Sequence, residues 1–280
     1  MIVGYACGDG LGHLTRLRAA LHTLAVPGPV TVITTSTGAA DPRVRGQWRV
    51  VTAPRPVTPS WLAGALTELA PTELVVDAFP AGLDGELSAG VVPAGTPVTH
   101  LARRLNWDRY GALLSPEPLL LDRTWLVEEV DSRQRAFLDA VSTEVAPLEP
   151  VDPPAPPPAP GLIEPGSWLV VHSGPASELL DLVDYALQTA LLEGSSAPVV
   201  LISPHRPDQL PQQVRQLDIY PATPLFPLAG RVVTAAGWNA VRQLAPWRDK
   251  HRMVPFPRRY DDQFHRAALI RVESRGTAPS

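Results

Sequence analysis

RVVTAAGWNAVRQLAPWRDKHRMVPFPRRYDDQFHRA, running from Arg231 to Ala267, is where the fold is most legible. Arg231–Thr234 is a β-branched run suited to a buried parallel strand. Ala235-Ala236-Gly237 follows, small enough for a ligand to approach the backbone closely. A helix then starts near Trp238, and its unpaired N–H groups favour an anion such as a phosphate. Asn239 and Gln243 lie four apart and share one helix face. Met253–Phe256 is the next apolar strand, and Asp261-Asp262-Gln263 marks a further helix start. Phosphate donors and hydroxyl-binding side chains thus stand at the ends of neighbouring strands, where ligands of open α/β sheets bind. An ordinary βαβ unit with capped helices has the same spacing.

Working outward, the same alternation begins at the N-terminus. Met1–Cys7 reads as a strand, Gly8-Asp9-Gly10-Leu11-Gly12-His13 as a glycine-rich turn, and the residues to about Leu24 as a helix with Leu14, Leu17, Leu21 and Leu24 on one face. Strands are expected at Val30–Ser36, Val50–Thr52, Leu74–Val76, Pro97–Leu101 and Leu119–Leu121, with a helix over Trp61–Leu69. Ala146–Gly166, APLEPVDPPAPPPAPGLIEPG, is too proline-rich for helix or ladder and is read as a semi-rigid linker outside the core. The pattern then restarts: a strand at Trp168–His172, a turn at Ser173-Gly174-Pro175, a helix over Ala176–Leu192 and a strand at Pro198–Ser203. Asp208–Leu217 reads as a helix and Ile219–Tyr220 as a brief strand. The expectation is an α/β chain of two Rossmann-like domains, residues 1–145 and 167–280, joined by a proline-rich linker at 146–166. A ligand cleft between two such halves is a common arrangement.

Composition narrows the function. The 280 residues are 45% hydrophobic and 19% charged, as expected of a packed fold. A formal net charge of -4 argues against nucleic acid as a partner. The single Cys7 supports no disulfide framework. No apolar run reaches the length of a membrane span, and MIVGYAC lacks the charged region of a signal peptide, so a cytoplasmic location is expected. Peripheral membrane contact is not indicated. Trp61-Leu62 and Leu113-Leu114 are the apolar pairs suited to a lipid, and buried core is the other use of both.

Several cofactor readings fall away. Gly8, Gly10 and Gly12 give G-x-G-x-G-H rather than G-x-G-x-x-G, and Ser36-Thr37 stand where a dinucleotide fold has its acid. No P-loop pattern occurs, and no His/Cys cluster has zinc spacing. Asp261-Asp262 could hold Mg²⁺ or, more commonly, cap a helix or accept hydrogen bonds from hydroxyls. No resident cofactor or metal is expected. His13, at the mouth of the first strand, is either a base for a hydroxyl proton or a structural histidine. Asp77 ends a strand in VVDAFPAGLDGEL and is a second candidate base or a helix cap. Arg16 either neutralises a phosphate or is solvated. His172, ending the first strand of the second half, reads as a structural or phosphate-side group.

Three stretches together resemble the GT-B glycosyltransferases, and within them the group like the peptidoglycan N-acetylglucosaminyltransferase MurG. GYACGDGLGHLTR (Gly4–Arg16) resembles that group's N-terminal glycine loop, TAAGWNAVRQ (Thr234–Gln243) its donor diphosphate turn, and PFPRRYDDQFHRA (Pro255–Ala267) its donor-sugar loop. The resemblance implies a metal-independent, inverting transferase acting on a nucleotide-sugar, UDP-linked, with an unidentified acceptor hydroxyl. It implies that His13 is the base. Gly237, Trp238, Asn239, Ser173 and Gly174 would lie on the diphosphate side, Ile219-Tyr220 at the nucleobase, and Asp262 and Gln263 at the sugar hydroxyls. Gln243 stands where the group has a glutamate for the ribose, and a charge-assisted bond is lost there. The same scaffold also serves nucleotide-sugar epimerases and hydrolases, and a non-catalytic nucleotide-sugar-binding protein is the alternative from another class.

Overall fold

The computed structural model describes residues 1–276, with side chains to 272. The chain divides into two compact units, Met1–Pro153 with Arg259–Asp261, and Pro154–Arg258 with the residues from Asp262 onward.

In the first unit the elements are β1 (Ile2–Tyr5), α1 (Gly12–Thr23), β2 (Val30–Thr34), α2 (Pro42–Arg45), β3 (Arg49–Thr52), α3 (Pro59–Leu69), β4 (Glu73–Asp77), β5 (Val98–Ala102), α4 (Trp107–Tyr110), β6 (Leu121–Leu126), α5 (Ser132–Val141) and β7 (Ser142–Pro147). The seven strands are parallel, in the order β3-β2-β1-β4-β5-β6-β7. β2 is VTVIT and wholly buried, which is why it reads as a continuous apolar run rather than an alternation. Thr58 Oγ1 accepts the Trp61 N–H at 3.3 Å to start α3, with Pro59 in the first turn. Leu62 and Leu66 of that helix pack with Leu74 and Val76 of β4 in the main core. The chain order reverses between β1 and β4, so the carboxyl ends of these two strands flank the switch point.

In the second unit follow β8 (Trp168–Val171), α6 (Ala176–Leu192), β9 (Val199–Ile202), β10 (Arg215–Leu217), β11 (Arg231–Ala235), α7 (Trp238–Gln243), β12 (His251–Val254) and α8 (Gln263–Gly276). The sheet is parallel in the order β10-β9-β8-β11-β12, with its switch point between β8 and β11. Leu179, Leu182, Val183, Ala186 and Ala190 form the buried stripe of α6 at helical spacing.

The structure corrects several expected elements. Asp208–Leu217 is not a helix. Pro211 interrupts it, turns close at Leu210 N to Pro207 O (3.1 Å) and Val214 N to Pro211 O (2.9 Å), and Arg215–Leu217 pair with β9 as β10. Ile219–Tyr220 is not a strand; Ile219 instead packs against the second unit's core. The strand expected at Leu119–Leu121 lies later, at β6, and α5 and β7 were not anticipated. β7 takes Ala146 and Pro147 from the proline-rich stretch; Pro147 ends an edge strand, where a missing donor is tolerated. That stretch is not wholly outside the core either, since Ile163 is 5% exposed and packs with Leu169 and Val200. Leu62 is core, and Leu113 and Leu114 pack beside Phe79. Among the described residues, no helix is long and apolar enough to cross a membrane.

Candidate active site

β1 delivers the chain into a loop in which Gly8 and Gly10 have φ of 152° and 73°. The loop turns into α1, and His13 is that helix's second residue. β4, paired with β1, ends on Asp77. The two residues read separately as candidate bases form one pair, His13 Nδ1 lying 2.6 Å from Asp77 Oδ2. Arg16, one turn along α1, donates from Nε to Asp77 Oδ1 and from Nη2 to Oδ2, both at 2.6 Å. All three residues are buried. Arg16 is not the solvated residue of the second reading: it is buried, and its Nε and Nη2 close on a carboxylate.

Charge states follow from this packing. Burial pulls the Asp77 carboxyl upward, but the Arg16 guanidinium and the His13 hydrogen bond outweigh it and hold it at about 2. Burial is the largest influence on His13 and lowers it, against the opposing pull of Asp77. The imidazole is therefore neutral at neutral pH. An ionised carboxylate can only accept, so Nδ1 carries the proton and donates to Asp77. Arg16 Nη2 lies 3.2 Å from Nδ1, and with both groups donors no bond joins them. Nε2 keeps its lone pair. A ring held in this tautomer can take a proton at Nε2, and the resulting imidazolium rests against Asp77.

The surrounding residues fix the ring. A Cβ at Gly8 would collide with His13 Nε2, so glycine is required there by close approach. Thr35 Oγ1 accepts the Gly8 N–H at 2.9 Å, and Ser36 Oγ donates to the Gly10 carbonyl at 2.8 Å, pinning the loop to the end of β2. Gly12 opens α1. The Phe79 ring lies 5.2 Å from the imidazole and 5.5 Å from Tyr110. Tyr110 donates to the Gly82 carbonyl and accepts from the Ala81 N–H, fixing the loop after β4. Glu86, buried in that loop, accepts the Leu83 and Asp84 N–H groups and the Tyr5 hydroxyl. The segment Arg259–Asp261 belongs to this unit. Tyr260 sets its edge against Tyr110 at 5.3 Å, and Asp261 pairs with Arg103 at 2.5 Å. One oxygen of the Asp261 carboxylate, Oδ1, is thus engaged by a guanidinium. Among the described residues no group of three or more His, Cys, Asp or Glu side chains could hold a metal ion.

In the second unit, β8, β11 and β12 are neighbours, so the loops that follow them emerge at one sheet edge. Ser173 and Gly174 follow β8, Gly237 follows β11, and Pro255–Arg258 follows β12. Gly237 caps α7, and a Cβ there would meet open space, so packing places no demand on it. Trp238 is buried beneath the Arg242 guanidinium, 5.2 Å away. Asn239 and Gln243 are partly buried on α7, and Tyr220 is partly buried between β10 and β11. Asp262 Oδ1 accepts the His265 N–H at 3.2 Å, a cap on α8. Gln263 is 4% exposed, and its Oε1 accepts the Phe256 N–H at 3.0 Å. Arg266 donates to the Ala236 carbonyl at 2.9 Å, tying α8 to the turn after β11.

One cluster here was not anticipated. Glu178, in the first turn of α6, takes both guanidinium nitrogens of Arg258 at 2.5 Å and meets His172 Nε2 at 2.8 Å. Burial pulls Glu178 upward, yet Arg258 and His172 together hold it below its ordinary value, while burial lowers His172. The available signals were an acid in the first turn of a helix after a glycine and an arginine just past β12. Nothing in linear spacing joined them.

No protein-family model matches the sequence, and no curated protein matches it. Solved structures do. The spinosyn forosaminyltransferase SpnP is 14% identical with a TM-score of 0.62, over 97% of this chain and 83% of that one. The spinosyn rhamnosyltransferase SpnG complexed with thymidine diphosphate is 18% identical with a TM-score of 0.61, over 98% and 85%. SsfS6, a glycosyltransferase of Streptomyces sp. SF2575 also complexed with thymidine diphosphate, is 14% identical with a TM-score of 0.62, over 97% and 85%. Likeness at these identities is a likeness of fold: the chain has the GT-B fold of two Rossmann-like domains.

Proposed function

We propose that the protein is a glycosyltransferase that moves a sugar from a nucleoside diphosphate sugar to an acceptor hydroxyl, with inversion and without a metal. The observation that carries this is the buried His13–Asp77 pair at the switch point of the first sheet, with Nε2 left as a base. The acceptor oxygen attacks the anomeric carbon as its proton passes to His13 Nε2. The bond from that carbon to the diphosphate oxygen breaks, and the nucleoside diphosphate leaves with the electron pair. One displacement inverts the carbon. The first unit serves the acceptor and the second the donor, whose phosphates would lie by Ser173, Gly174 and Gly237, with Trp238, Asn239, Gln243 and Tyr220 along the nucleotide and Asp262 and Gln263 by the sugar. The motif likeness to the MurG-like group favours UDP, while the thymidine diphosphate in two fold relatives makes TDP the other donor to test.

Thermal melting with UDP- and TDP-sugars, followed by turnover with a panel of hydroxyl acceptors, tests the reading. Stabilisation by one donor and a mass gain on an acceptor are expected. No stabilisation by any nucleotide or nucleotide-sugar sinks it. Free sugar released without an acceptor would favour a hydrolase, and binding without any turnover a non-catalytic binding protein.

A further inference from the structure

Gly174 lacks a side chain where a donor phosphate would approach, but the space beside it is already filled by this chain. A Cβ on Gly174 would collide with His172 Nε2 and lie 3.0 Å from Glu178 Oε2. The Glu178 carboxylate is thus the anion at the turn between β8 and α6, on the positive end of a 17-residue helix. It is also the carboxylate that closes the fork of Arg258, whose side chain remains 29% exposed while that of Glu178 is 14% exposed. Phe256 packs with the assembly, its ring 6.1 Å from His172 and 5.7 Å from the Arg258 guanidinium. A planar guanidinium fork fits a carboxylate and a phosphate equally well. Carboxylate and phosphate cannot share it without placing like charges in contact.

We propose that Glu178 is an internal stand-in for the donor diphosphate, and that Arg258 exchanges Glu178 for the phosphates when a nucleoside diphosphate binds. Arg258 is then a donor-binding residue kept in place by its own chain before the donor arrives. Glu178 weakens donor binding, so the free nucleoside diphosphate also leaves more easily after transfer. This rests on the donor reading above and adds a regulatory element to it.

The test is isothermal titration of UDP, TDP and inorganic pyrophosphate into the wild type, Glu178→Gln and Arg258→Gln, each first shown by circular dichroism to be folded. Removing one negative charge beside the phosphates should tighten nucleoside diphosphate binding about tenfold in E178Q, and removing the fork should weaken it about tenfold in R258Q. Pyrophosphate should follow the same order, because the exchange concerns phosphate alone. If the wild type binds UDP or TDP but E178Q binds no more tightly, or R258Q no more weakly, the exchange is wrong and the donor reading stands. If neither the wild type nor E178Q binds any nucleotide, the donor reading falls and the inference with it. Should E178Q not fold, R258Q still decides the matter: unchanged affinity there overturns the proposal.

Discussion

Asp77→Asn isolates the central electrostatic unit of the first domain. The substitution keeps the shape and removes the charge. Asp77 accepts both branches of Arg16 and the His13 Nδ1–H, with every group buried. An asparagine leaves the Arg16 guanidinium, 3% exposed, without its anion. Breaking a buried pair from one side costs about 3–5 kcal/mol, because the remaining charge is uncompensated. For a unit of this size that is a fall in Tm of about 6–20 °C. The pH dependence gives a second handle. Asp77 falls from 3.8 to about 2 on folding, worth about 2 kcal/mol. Because the folded value is the lower one, this stability is fully present above pH 4 and is lost as pH falls from about 4 to about 2. D77N should lack that acid-sensitive component. The asparagine side chain can also offer its amide to Nδ1, moving the ring proton to Nε2 and removing the base. The assay is thermal melting of wild type and D77N between pH 3 and 8. A variant melting within about 2 °C of wild type at pH 7 would refute the claim that Asp77 neutralises a buried Arg16.

Three further outcomes follow from the same geometry. Gly8→Ala drives a methyl into the His13 ring, so kcat should fall at least about tenfold through misplacement of the base; unchanged kcat would mean that the ring is not in its working position. Burial lowers His13, so the acid limb of kcat against pH should lie below 6.5, with the rate falling as Nε2 protonates; an acid limb above pH 7 would contradict the assigned state. Gly237→Trp fills open space and should leave the fold intact while abolishing the Tm increase given by UDP- or TDP-sugars; retained stabilisation would move the donor elsewhere.

Much of the sheet framework was legible because β-branched runs such as Val30–Thr34 and Val232–Thr234 are buried on both faces and carry their pattern locally. The glycine loop before His13 was legible for the same reason, since a turn is a short-range property. Asp208–Leu217 misled because its apolar spacing mimics a helix, and only pairing with β9 decides that Arg215–Leu217 extend. Ile163 was misjudged because proline density says what the backbone cannot do, not which lone side chain reaches a core. The site divides the same way. His13 and Asp77 were each visible at strand ends, but their union spans 64 residues and depends on β1 and β4 being neighbours. Arg16 looked like a phosphate or solvent residue because nothing local announces a bidentate partner 61 residues away. Glu178 and Arg258 lie 80 residues apart and were missed for that reason.

The most direct test of the account is the turnover of His13→Ala at saturating donor, measured by nucleoside diphosphate release together with acceptor mass, beside its donor affinity. If His13 Nε2 takes the acceptor proton, kcat should drop by about 10²–10⁴-fold while the donor Kd stays within about twofold of wild type. Wild-type kcat in that variant would contradict the account.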